Sequence, residues 1–138
     1  MTVVLDTCIL KLATFPRPDN PAAVIVELAL RGFVELWASP AMLEEYAEVI
    51  GDDAELLAEL SHHVRLCFPL TQLAVIRHKP DNRFLECALA TRADFLITVN
   101  TARGHFDRPS YDGTRVCTPG AFVNLPEAQS LIRNLTQS

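Results

Sequence analysis

The sequence predicts an α/β fold with a mostly parallel central sheet of about five strands flanked by helices. Three observations carry this. The first apolar run, Thr2-Val3-Val4-Leu5, is short, β-branched and without alternation, as a strand buried on both faces requires. Similar short runs recur along the chain, separated by stretches of helical length and period, which implies right-handed crossovers. With 138 residues, 49% hydrophobic and 21% charged, the chain has the size and composition of one compact domain over residues 1–138.

The elements follow in order. Thr2–Leu5 is the first strand, and Thr14–Asn20, with Pro16 and Pro18, is a loop after it. Pro21–Arg31 is helical. Its stripe of Val24, Ile25, Leu28 and Ala29, widened by Ala22, Ala23 and Val26, suits either the core or an interface. Val34–Ala38 is a strand and Pro40–Ile50 a helix. Asp53–His62 is a further helix and Val64–Phe68 a strand. Helices are expected at Thr71–Arg77 and Asn82–Arg92, with the strand Phe95–Val99 after them. Asn100–Gly113 reads as a loop, Arg115–Thr118 as a strand, and Pro119–Val123 and Pro126–Leu135 as short helices.

Composition excludes several classes. No apolar stretch approaches the ~20 residues of a membrane span. The first residues lack the basic region and cleavage site of a secretory signal, so a cytoplasmic protein is expected. Cys8, Cys67, Cys87 and Cys117 are widely spaced, with no CxxC, and read as free thiols. A net charge of −5 argues against broad non-specific binding of nucleic acid. The distribution is uneven. Phe33 to Val64 holds eight acids and no Lys or Arg, while Arg65 to Arg115 holds eight basic residues against five acids. A local basic rim or an ordinary solvated surface would both produce this.

Candidate chemistry lies at strand ends. Asp6 follows the first strand, where open α/β sheets bind ligands. On a helix at about 100° per residue, Met42, Leu43, Tyr46, Val49 and Ile50 share a buried face. Glu45 falls at its edge, while Glu44 and Glu48 point to solvent. Asp81 precedes the run Phe84, Leu85, Ala88, Leu89 and reads as an N-cap, a role compatible with holding a metal. Asn100 ends the run Phe95-Leu96-Ile97-Thr98-Val99. Clustered carboxylates are costly to bury unpaired, and a divalent cation removes that cost. Oxygen ligands suit Mg²⁺ or Mn²⁺, and the chemistry best served is hydrolysis of phosphodiesters.

These residues resemble the PIN-domain ribonucleases. The likeness rests on Val3-Val4-Leu5-Asp6-Thr7, on Ser39-Pro40-Ala41-Met42-Leu43-Glu44-Glu45-Tyr46, on Pro80-Asp81-Asn82-Arg83-Phe84-Leu85-Glu86-Cys87-Ala88 and on Ala93-Asp94-Phe95-Leu96-Ile97-Thr98-Val99-Asn100. His105-Phe106 and Thr118-Pro119-Gly120-Ala121-Phe122 are similar to the toxin–antitoxin branch. The resemblance implies a three-layer sandwich and a metal-dependent endoribonuclease with an RNA substrate, often dimeric and paired with a small antitoxin. It implies that Asp6, Glu45 and Asp81 are the principal acidic positions and Asn100 the fourth, where much of the family has Asp. Cys8 stands where Asn is common, and Val99 where Gly is common.

Ser39 could touch a phosphate, although N-capping suits it better. Arg103 and His105 could contact RNA backbone or be merely solvated. Trp37 and Phe33 read as core rather than as stacking platforms. The alternative to a nuclease is a weak or inactive PIN-like module that binds RNA or protein, favoured by Asn100 and Cys8. A phosphatase using Asp6 ranks last. Cys8 stands where a second Asp is wanted, and Lys79 is the only later lysine.

Overall fold

The computed structural model describes residues 1–137. Its strands are β1 (Thr2–Leu5), β2 (Glu35–Ala38), β3 (Arg65–Leu66), β4 (Phe95–Ile97), β5 (Ser110–Tyr111) and β6 (Thr114–Cys117). Its helices are α1 (Thr7–Ala13), α2 (Pro21–Leu30), α3 (Pro40–Ile50), α4 (Ala54–His63), α5 (Asn82–Thr91), α6 (Pro119–Val123) and α7 (Pro126–Gln137). The sheet runs β3-β2-β1-β4-β6-β5, parallel except for the β5–β6 pair. The fold is therefore the α/β architecture with a mostly parallel sheet that the sequence predicts.

β1 lies between β2 and β4, with Val3, Val4 and Leu5 all fully buried. Each such side chain contributes about 1.5–3 kcal/mol by leaving water. The chain proceeds from β1 outward through β2 to β3, then crosses back to place β4 on the other side of β1. That reversal opens a crevice beyond the carboxyl ends of β1 and β4, the usual ligand position in open α/β sheets.

The apolar stripe of α2 belongs to the core. Ala22, Ile25, Val26, Leu28 and Ala29 are buried, and α2 packs on α1, α4, α6 and α7. Trp37 and Phe33 also pack against the core.

Some expected elements differ. No helix forms at Thr71–Arg77. The backbone N–H of Leu73 donates to Glu86 Oε2 at 2.7 Å, and that of Ile76 to Asn82 Oδ1 at 2.9 Å. Side chains of α5 thus hold this segment in another conformation, and Asn82 takes the Ile76 N–H that a helix would have bonded internally. The Val64–Phe68 strand contracts to Arg65–Leu66 at the sheet edge, leaving Phe68 exposed. Val49 is exposed rather than on the buried face of α3. Two elements add to the expectation: α1, and β5 within the segment read as loop, which pairs with the expected strand, β6, as a hairpin. Asp112 and Gly113 turn that hairpin with φ of 47° and 90°, as a tight Asp-Gly turn requires.

Candidate functional site

Asp6 terminates β1, its backbone N–H donating to Ile97 O of β4 at 3.0 Å. Its backbone is extended and it stands at the N-cap of α1, but its side chain does not cap. Oδ2 instead accepts from the Thr98 hydroxyl at 2.7 Å and from Asn100 Nδ2 at 3.0 Å. Asp6 is only 4% exposed. Among the described residues, no Lys, Arg or His forms an ion pair with it. A carboxylate buried against neutral donors holds a charge that a cation would compensate.

Cys8, the second residue of α1, shares this environment. Burial and then the Asp6 charge push its thiol up to about 11, so it stays protonated at neutral pH.

Glu45 reaches the same region from α3. Ser39 starts that helix: it is buried, and its hydroxyl accepts from the Met42 N–H at 3.3 Å, the ordinary N-cap role. One turn on, the Tyr46 hydroxyl donates to Leu5 O at 2.5 Å and ties α3 to the end of β1. This fixes the register of Glu45. Its Oε2 accepts from the Thr7 hydroxyl, next to Asp6, and its Oε1 lies 3.5 Å from Arg83 Nη1. Glu45 is half-buried, and Glu44 and Glu48 are exposed, as the helical wheel requires.

Asp81 lies in a short 3-10 turn, Lys79–Asp81, that leads into α5. It occupies the N-cap position but in helical conformation, and its side chain makes no cap bond, contrary to the capping role read from the sequence. Its oxygens face two imidazoles: Oδ1 is 3.3 Å from His78 Nδ1 and Oδ2 is 2.8 Å from His105 Nδ1. Elsewhere the rule of capping holds. Asn20, Ser39, Asp53 and Thr118 all accept a helix N–H with their side chains. The two N-cap carboxylates diverted from that task, Asp6 and Asp81, are both candidate ligands.

The structure thus puts Asn100 in contact with Asp6, Glu45 beside Thr7, and His105 on Asp81. It leaves Ser39 on its helix and Arg103 exposed on the loop. Among the described residues, the His, Cys, Asp and Glu side chains close enough to hold an ion as they stand are His78, Asp81 and His105. Sequence reasoning missed four supporting residues: Thr98, Thr7, Arg83 and His78. His78 had a signal, its position three residues before Asp81. Thr98 had none, because a Thr near a strand end is ordinary.

No curated protein matches the chain closely enough to count as a relative. The family model of the PIN domain matches residues 2–102, from the start of β1 to just beyond Asn100. That span includes β1, β2, α3, α5 and β4, the elements that bring Asp6, Glu45, Asp81 and Asn100 into place, and the chain therefore belongs to the PIN-domain family.

Proposed function

We propose that this protein is a metal-dependent endoribonuclease, a single domain over residues 1–138, acting as the toxin of a toxin–antitoxin pair in the cytoplasm. The observation that carries the reading is Asp6: a buried carboxylate at the topological switch point, with hydroxyl and amide donors on one oxygen and no ion-pair partner among the described residues. The carboxylate oxygens of Asp6, Glu45 and Asp81 suit a hard cation, so Mg²⁺ or Mn²⁺ is the expected cofactor. Asp6, Glu45 and Asp81 would hold it. Bound there, the ion would acidify a coordinated water for attack and neutralise charge developing on phosphate.

The chain's own groups supply orientation. Thr98 and Asn100 fix the Asp6 carboxylate, and Thr7 fixes Glu45. Arg83, beside Glu45, offers a cation that a phosphate could share. Arg103 and His105, on the loop after β4, are the proposed contacts to RNA backbone, and Ser39 is a weaker candidate because its hydroxyl is engaged. A small antitoxin and a second copy of the chain are the proposed protein partners. Among the described residues, no helix is long and apolar enough to cross a membrane.

One observation favours the alternative, a PIN-fold module that binds RNA or protein without cutting. Arg83 accompanies Glu45 and the imidazoles of His78 and His105 accompany Asp81, so these carboxylates are partnered from within the chain. The deciding experiment is cleavage of single-stranded RNA by the purified protein across a Mn²⁺ titration, with Asp6→Asn as control. Metal-dependent cleavage lost in the variant supports the nuclease. RNA binding without cleavage at any metal concentration supports the module.

A further inference from the structure

His78, Asp81 and His105 come from two separate segments, yet their ligating atoms all lie within 4.8 Å of one another. The imidazoles take different oxygens of one carboxylate, and their ring centroids are 4.8 Å apart. The backbone holds this arrangement. His78 N–H donates to Gly104 O at 2.8 Å, and Asp81 N–H to His78 O at 3.0 Å. Phe106, which follows His105, is 1% exposed and its N–H donates to Asn100 O at 3.0 Å. Both segments are therefore pinned to each other and to the sheet.

From this juxtaposition we infer that His78, Asp81 and His105 form a binding site for a borderline transition cation of the Zn²⁺ class, with two nitrogens and one carboxylate as ligands. The inference adds to the nuclease reading, with which it shares Asp81, and stands without it. Zn–N and Zn–O bonds of about 2.0–2.2 Å at tetrahedral angles separate neighbouring ligand atoms by about 3.4 Å. The two N···O separations here, to different oxygens of the carboxylate, are 2.8 and 3.3 Å, and the ligand atoms all lie within 4.8 Å, so the closest pair must open by roughly half an ångström and the widest must close by up to about 1.4 Å. Imidazole nitrogen favours Zn²⁺ and Co²⁺ over Mg²⁺, which sets this donor set apart from the oxygen donors around Asp6. His78 is half-exposed at its side chain and His105 about a third, so water can reach the ion and complete its coordination.

The test uses the full-length protein with Co²⁺ as spectroscopic probe and Zn²⁺ as competitor. The wild type should show a visible Co²⁺ absorption band that one equivalent of Zn²⁺ removes. His78→Gln and His105→Gln should each weaken Co²⁺ binding by about tenfold or more. A His62→Gln, His63→Gln double variant should leave it unchanged, and Asp6→Asn should weaken it less than either single histidine variant, with circular dichroism verifying the fold of every protein. The inference is overturned if the folded wild type binds neither ion. It is equally overturned if either single histidine variant keeps wild-type affinity, or if Asp6→Asn loses as much as they do. Mn²⁺-dependent RNA cleavage on the same preparations reports on the nuclease reading separately. An inactive protein that binds Co²⁺ through its histidines would keep this site and remove that reading, and an active protein without the Co²⁺ band would do the reverse.

Discussion

The side chain of Asn100 donates its N–H to Asp6 Oδ2 at 3.0 Å, on the oxygen that also accepts the Thr98 hydroxyl. An ionised carboxylate can only accept, so the amide must turn its nitrogen toward Asp6. Asn100→Asp replaces that donor with a second negative charge against a buried oxygen. The metal-free variant should melt several degrees below the wild type, a loss of about 1–3 kcal/mol. Mn²⁺ should recover more stability in the variant than in the wild type and should reach half-maximal cleavage at lower concentration. Thermal melts with and without Mn²⁺ check this. Equal melting temperatures in both proteins would mean that Asn100 does not govern the site's charge.

Asp6→Asn and Asp81→Asn should each abolish metal-dependent cleavage while leaving the far-ultraviolet circular dichroism unchanged. Neither side chain caps its helix, so the losses should not come from helix ends. Full cleavage by either folded variant removes that residue from the ligand set.

Glu45 and Glu44 are adjacent but separated by about 100° on α3. Glu45→Gln should lose most of the cleavage activity, since Thr7 and Arg83 meet its carboxylate. Glu44→Gln, on the exposed face, should be nearly silent. Parallel rate measurements on the two variants decide the assignment.

Tyr46→Phe removes the hydroxyl that donates to Leu5 O and leaves a buried carbonyl without that partner. The expected cost is about 1–3 kcal/mol of stability, read by denaturant unfolding. Cleavage should fall as well, because this bond sets the register that presents Glu45. A variant with unchanged stability would show that water or another donor replaces the hydroxyl.

Burial raises the thiols of Cys67 and Cys87 above the ordinary value of 9.0. The folded protein therefore holds protons that the unfolded chain releases first. Stability from these groups is fully present below about pH 9 and is lost as pH rises toward the folded values. Melting temperature should fall as pH rises from about 9 to about 11, less steeply in Cys87→Ala. An identical slope in that variant would assign the alkaline loss to other groups.

The strands and most helices were legible because their cause is local. β1 reads as a buried parallel strand from four residues, and Glu45 reads as inward from the period of α3. The site's fine structure was not legible, because its cause is distant in sequence. Asp81 carries every local sign of a cap, and only the loop bearing His105, 24 residues on, shows where its oxygens go. The absence of a helix at Thr71–Arg77 has the same origin, since Glu86 and Asn82 capture its backbone from α5. The β5–β6 hairpin is a different case: Asp112-Gly113 announced it locally.

The placement of β1 at the centre of the sheet bears on how the protein is made. Asp6 leaves the ribosome well ahead of its partners, because Thr98 and Asn100 lie 92 and 94 residues behind it. At about 5–20 residues per second, they follow by about 5–20 s. Throughout that interval β2 can pair with β1, but the β4 side stays open and the carboxylate remains hydrated and unoriented. The carboxylate thus stays unoriented in the nascent chain until β4 and the residues after it emerge, a delay that the strand order alone builds in.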